Sequence, residues 1–178
     1  AFHVTYWDFI GWKDTFEKMS NDERQREYSS GVWNKKSVYT PQFVLNAKEY
    51  REWFSTKNFP DFEEQYGGEL KASIENKTMN ISFYSEVIQN KKVTVNVVLM
   101  GFDYDVKIAS GENEDKILEH DFVVLEHIQE KSFIKNNKLH LKTYLPHLQK
   151  DSHEKAISVW ISDEKSQIIQ AVGGYLNN

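Results

Sequence analysis

Cysteine is absent from the 178 residues. That removes disulfides, thiolate chemistry and Cys-ligated zinc from this stretch of chain. It does not fix a compartment, because chains without cysteine occur in the cytosol and the periplasm alike. Basic charge is also sparse: Lys and Arg number 22 against 27 Asp and Glu, and the net charge is −5. No Lys/Arg run exceeds two residues, so no nucleic-acid partner is expected, since one would call for a concentrated basic face. No apolar run approaches the ~18 residues of a membrane span, so no membrane insertion is expected. The chain has no H-E-x-x-H pair, no glycine-rich phosphate loop and no serine nucleophile elbow. No metal or other cofactor is expected. Proline occurs only three times, which gives each one positional meaning.

What is present divides into two patterns. Hydrophobic residues make up 39% and aromatics 14%, enough to bury a core. The first segment, Phe2 to Asp8, is rich in β-formers and reads as a strand. Ser20 followed by Glu23 is a capping-box signal and Gly31 a stop signal, predicting a helix over 21–30. A shorter helical turn is expected near Asp14–Lys18. Asn46-Ala47 separates two short strand-like runs in the manner of a hairpin. The segment NFPDFEEQYGG suits a short helix with Pro60 near its first turn. Arg24 and Arg26 lie two apart on the first helix, so they point to different faces, and the expectation for them is a solvated surface.

From about residue 69 the period becomes two. Met79, Ile81 and Phe83 alternate with polar neighbours, as do Val93, Val95 and Val97, and then Phe102, Tyr104, Val106 and Ile108. Further strands are expected over 121–128, 137–144, 155–162 and 166–172. Short one-sided strands at this spacing favour antiparallel sheets packed face to face. The two patterns meet near Gly67-Gly68.

Pro41 stands before the apolar run Phe43-Val44-Leu45, at the mouth of a strand. With a fixed φ and no N–H, proline is suited to a first or edge position, and an X-Pro bond adopts cis cheaply. Element order alone leaves cis and trans open. Before it, YWDFIGWKD packs aromatic and acidic residues closely. Two readings stand for this stretch. One is a ligand cleft beside Trp7, Asp8, Trp12 and Tyr39, with Lys13 and Asp14 as polar contacts or a tuning charge pair. The other is a tryptophan cover over the core, with Asp8 or Asp14 capping a turn.

Three blocks, FHVTYWDFIGWKDTF, RQREY and SVYTPQFVLN, resemble the signature of a secreted bacterial thioredoxin-like family catalogued as domain of unknown function 1223. His3, Tyr6, Trp7, Asp8, Gly11, Trp12, Lys13, Asp14, Arg24, Gln25, Tyr28, Tyr39, Thr40, Pro41, Gln42 and Asn46 match its pattern, and Gly111, Glu112, Asn113 and His120 match a later block. Thr5, Thr15 and Ala47 depart from it. The resemblance implies an α+β fold: an incomplete thioredoxin-like domain over residues 1–67, then an antiparallel β-sandwich over 68–178. It implies a cis Thr40-Pro41 bond and a periplasmic or secreted location. It also implies a first strand and a C-x-x-C helix, about 30 residues on the scale of a βα unit, which are expected before Ala1.

The candidate cleft comprises Tyr6, Trp7, Asp8, Trp12, Lys13, Tyr39, Thr40, Pro41 and Gln42, with no catalytic residue among them. The expected function is a non-catalytic binding or structural module for an unknown protein or small-molecule ligand. The alternative is a thiol-disulfide oxidoreductase whose cysteines lie in the preceding segment. An unfilled place in the sheet also suggests homo-oligomers formed by strand exchange.

Overall fold

The computed structural model describes residues 1–60, 67–111, 113–145 and 153–176. The core of the helix expected over NFPDFEEQYGG falls on 61–66, outside the described residues, as do Glu112 and His147.

The architecture is mixed α/β, mostly antiparallel sheet with few helices. Helix α1 spans Met19–Arg26 and α2 spans Trp53–Thr56. Strands β1 (Val44–Leu45) and β2 (Lys48–Glu49) form a hairpin. The remaining strands are β3 (Glu69–Glu75), β4 (Thr78–Tyr84), β5 (Lys91–Gly101), β6 (Tyr104–Lys107), β7 (Ile117–His120), β8 (Val123–Ile134), β9 (Lys138–Tyr144), β10 (Lys155–Asp163) and β11 (Ile168–Tyr175). They form a sheet ordered β11-β10-β5-β8, a second ordered β3-β4-β9, and the pair β6-β7. Every pairing among the described residues is antiparallel.

Alternation explains how the two larger sheets share one core. Met79, Ile81 and Phe83 of β4 face Val93, Val95, Val97 and Leu99 of β5 and Ile157, Val159 and Ile161 of β10 in a single buried cluster. Side chains two apart on a strand lie on the same face, so each strand contributes every second residue. The cluster and the half-buried residues around it come only from positions 70–176. Three hairpin turns, at Asn46-Ala47, Asn76-Lys77 and Asn136-Asn137, hold both central residues at positive φ. Asparagine tolerates that region because its short amide bonds locally, and such turns match the twist of the flanking strands. At Gly67 a Cβ would lie 2.1 Å from the Ile169 carbonyl oxygen, so only glycine admits the chain past β11 there.

The N-terminal quarter departs from expectation. Phe2 to Asp8 forms no strand; it is an irregular segment ending in a 3-10 turn, Asp8–Ile10. Strand propensity reflects fit to a neighbouring pleated surface, and among the described residues backbone pairing with a strand reaches only Ala1. Ala1 accepts from the Val124 N–H at 3.0 Å and donates to the Phe122 carbonyl just before β8. Side chains of α1 take over instead: Asp22 accepts from the Thr5 N–H (2.9 Å) and hydroxyl (2.6 Å), and the Asn21 amide donates to the His3 carbonyl (2.7 Å). These two residues are engaged in α1's first turn, and Ser20 does not cap; the N-cap is Lys18, with no side-chain bond. The helix also does not stop at Gly31 as α-helix but widens at Glu27 into π-helical turns through Val32. Near Asp14 no helix forms; its carboxylate accepts the Phe16 N–H at 2.8 Å and closes a local turn.

This segment and α1 lie over the outer face of the four-stranded sheet. That face departs from simple alternation because Asn96 and Val98 are buried as well as the inward residues. Asn96 Oδ1 accepts from Gln129 (3.0 Å) and pairs with His127 Nε2 (3.1 Å). His127 stacks on Trp160 at 5.6 Å and meets the edge of Phe2 at 5.4 Å. Two polar clefts of about 270 and 730 Å³ run along this seam, bounded by Arg24 and Glu27 on one side and Gln129 on the other.

Burial, reinforced by the Arg24 charge, lowers the His127 imidazole to about 4. The unfolded chain takes up that proton near 6.5. The stability contributed by the neutral ring is therefore fully present above about 6.5 and is lost as pH falls towards 4. Urea midpoints measured from pH 7.5 to 4.5 should fall more steeply for the wild type than for His127→Gln. Parallel curves would remove His127 from the account.

Candidate functional site

The N-terminal segment, α1 and the β1–β2 hairpin enclose an open cavity of about 800 Å³. Phe2, Trp7, Trp12, Pro41, Phe43 and Trp160 supply most of its apolar wall. A hydrogen-bonded frame fixes it. Trp7 Nε1 donates to the Thr40 hydroxyl at 2.7 Å, across 33 residues of chain. Gln25 of α1 accepts from the Tyr6 hydroxyl (2.9 Å) and donates to the Tyr39 carbonyl (2.8 Å) and to Gln42 (3.0 Å). Gln42 in turn donates to Glu49 at 3.0 Å. Burial would raise the Glu49 carboxyl, but hydrogen bonds from Lys35 and Gln42 and the Lys35 charge outweigh it and hold it below its ordinary range. The Thr40–Pro41 peptide, in the cavity wall, is cis.

Of the nine candidate residues, Trp7, Asp8, Trp12, Thr40, Pro41 and Gln42 line the cavity. Tyr6 stands behind the wall on Gln25, and its phenol is raised above its usual value, chiefly by burial. Tyr39 packs beneath the Arg51 guanidinium at 4.9 Å. Lys13 is largely exposed and reaches Glu17 at 3.3 Å.

Asp14, expected as a polar contact, lines the cavity, and so do polar residues outside the candidate set, among them His3, Glu17, Asn21, Arg24 and Gln25. Asp14 pairs with His3 at 2.5 Å. Burial opposes the Asp14 charge, but the hydrogen bonds from His3 and the Phe16 N–H prevail and keep its carboxyl low. Arg24 is not a solvated surface residue. Its guanidinium lies 4.2 Å from the Phe2 ring centre and 4.8 Å from that of Tyr28, a cation–π arrangement, and burial lowers its pKa. Glu17 has a side chain only 7% exposed; among the described residues no donor reaches its Oε2, and the group against it is the Asp8 carboxyl. Burial, then the neighbouring Asp8 carboxylate, push the Glu17 carboxyl above its usual value, and Lys13 only partly opposes them. No sequence signal marks Glu17, which reads as one more charge in KDTFEK. Arg24 was legible through the aromatic residues at Phe2 and Tyr28, but only once the segment was known to fold back over α1.

Among the described residues no group of three or more His, Cys, Asp or Glu side chains is placed to hold a metal ion. No described helix is long and apolar enough to cross a membrane. The cavity combines an apolar wall, a hydrogen-bonded frame and a Glu17 carboxylate oxygen that finds no donor among the described residues.

No curated protein matches the chain. Among solved structures it is similar to the X-ray structure of a protein from Agrobacterium tumefaciens, a structural-genomics target, with a TM-score of 0.68 and 18% identity, covering 99% of this chain and 79% of that one. At that identity the likeness concerns the fold alone. The family model described as "Protein of unknown function (DUF1223)" matches residues 1–162, and the chain belongs to that family.

Proposed function

We propose that the protein is a non-catalytic binding module of the cell envelope or the extracellular space, taking a protein segment or a small molecule in the cavity beside Trp7 and Pro41. The observation that carries this reading is the cavity itself: about 800 Å³, walled by aromatic rings and built on a hydrogen-bonded frame. Ligand pockets characteristically combine this size and apolar lining with a few fixed polar groups. The location is borrowed from the family resemblance, as is the division into a thioredoxin-like part over 1–67 and a β-sandwich over 68–178. The single core cluster drawn from positions 70–176 supports that division.

Titration with the uncharged apolar dye N-phenyl-1-naphthylamine, read by energy transfer from tryptophan, tests the proposal. One saturable site is expected, weakened about tenfold in Trp12→Ala, a loss of ~1.4 kcal/mol that suits one aromatic contact. Dye binding that ignores Trp12 would sink it.

The second reading, a thiol-disulfide oxidoreductase, needs cysteines that these 178 residues do not contain. It is favoured by the position of Thr40 and Pro41 in the cavity wall, where a C-x-x-C segment would face them. Insulin reduction by the product of the whole gene would establish it, and absence of turnover would leave the binding module.

A further inference from the structure

We infer that the cavity selects a ligand carrying an alkylammonium group, seated against the Trp7 and Trp12 rings with its charge on Glu17 Oε2. The inference deepens the proposed function and rests on it: the cavity must be a binding site.

Three observations converge. First, Glu17 lines the cavity with a side chain 7% exposed, and among the described residues its buried Oε2 has no donor, its neighbour being the Asp8 carboxyl. A buried acceptor left unmatched costs about 1–3 kcal/mol, more when charged, so a donor arriving from the cavity recovers that cost. Second, the surroundings leave Glu17 short of positive charge. Asp8 adds a like charge, and the pairing cation, Lys13, is 76% exposed and touches only the other oxygen. Arg24 is already held between the rings of Phe2 and Tyr28, and His3 faces Asp14. Third, tryptophan faces attract ammonium groups, most strongly where water is excluded, and Trp7 and Trp12 lie in the same wall. A carboxylate lining the same cavity as aromatic rings suits an organic cation with an apolar stem, because the stem meets the wall while the head meets the charge. An anionic ligand would meet Asp8 and Glu17 together.

Such a group is carried by a free alkylamine or by a lysine side chain of a peptide. Tryptophan fluorescence titrations with n-butylammonium and with acetyl-Gly-Lys-Gly-amide separate the sources. The neutral comparators are n-butanol and the same peptide acetylated on its lysine. Both cations, or one alone, should quench saturably, with the neutral partner at least about tenfold weaker. Glu17→Gln should remove that preference. Lys13→Ala, at an exposed position, should strengthen cation binding several-fold by withdrawing the internal competitor. Neutral and charged probes binding alike, or a Lys13→Ala variant that weakens cation binding, would overturn the inference. Retained dye binding in that case would leave the cavity itself as a site, so the two failures are distinguishable.

Discussion

Phe83→Ala is expected to lower folding stability by about 3–5 kcal/mol, the largest effect of any single truncation in the two-sheet core. Phe83 is 1% exposed and sits on the central strand of the three-stranded sheet, paired with Leu70 on one side and Leu139 on the other. Its ring also fills the space a Cβ at Gly68 would enter, 2.7 Å away. Those neighbours are held by their own strands and cannot collapse inward, so the loss combines transfer energy with an unfilled cavity. Against a typical domain stability of about 5–15 kcal/mol, this is a substantial fraction. Urea denaturation should show a large fall in midpoint at nearly constant slope. Tyr84→Ala, at a neighbouring residue that is 44% exposed, should change little. Similar losses at both positions would contradict the assigned face of β4.

Asp22→Ala should disorganise the cavity without unfolding the sheets. Asp22 is 4% exposed and takes both the N–H and the hydroxyl of Thr5. Hydrogen bonds to a charged group are worth about 1.5–3 kcal/mol each, and their loss would strand a Thr5 donor. Beyond Ala1 the irregular segment has no ladder to fall back on, so the Asp22 carboxylate on Thr5, together with the Asn21 amide on the His3 carbonyl, does the work a neighbouring strand would do. Amide exchange should accelerate across residues 2–8, and dye binding in the cavity should weaken sharply. Protection in β4, β5 and β10 should persist, because local opening there draws on separate contacts. Asp22→Asn, which keeps an acceptor of the same shape, should show a smaller effect. Global unfolding in Asp22→Ala would mean the sheets depend on the N-terminal segment far more than their separate core implies.

The two-sheet region was legible because burial on one face imprints a period of two. The expected strands over 155–162 and 166–172 form as β10, Lys155–Asp163, and β11, Ile168–Tyr175. Strand β8 was read short at 121–128 but runs over Val123–Ile134. Its second half, QEKSF, lies where half-exposed positions blur the alternation. The first 30 residues misled for a different reason. FHVTYWD has the composition of a strand, but composition cannot say whether a partner strand will be alongside. Its hydrogen bonds are instead made to Asn21 and Asp22, which in sequence look like ordinary first-turn polar residues. The cavity wall was partly readable, through the tryptophans and the YTPQ loop. The buried Glu17 carboxylate was not, since nothing in KDTFEK distinguishes it from its charged neighbours until the chain folds over it.

The seam between α1 and the four-stranded sheet gives the molecule a natural fault line. Its lining of Asn96, His127, Gln129, Arg24 and Glu27 is a set of groups that water solvates about as well as protein does. Surfaces of this kind resemble transient contacts more than a continuous core, and relative motion across them is the default expectation. The apolar side chains along the seam, among them Phe2, Tyr28, Val32, Val124 and Trp160, are interspersed with these polar groups. The aromatic cavity straddles that line, with Trp160 on the sheet side and Trp7 and Trp12 on the other. An occupant touching both banks would therefore act as a rivet, coupling ligand affinity to how firmly the two surfaces stay closed.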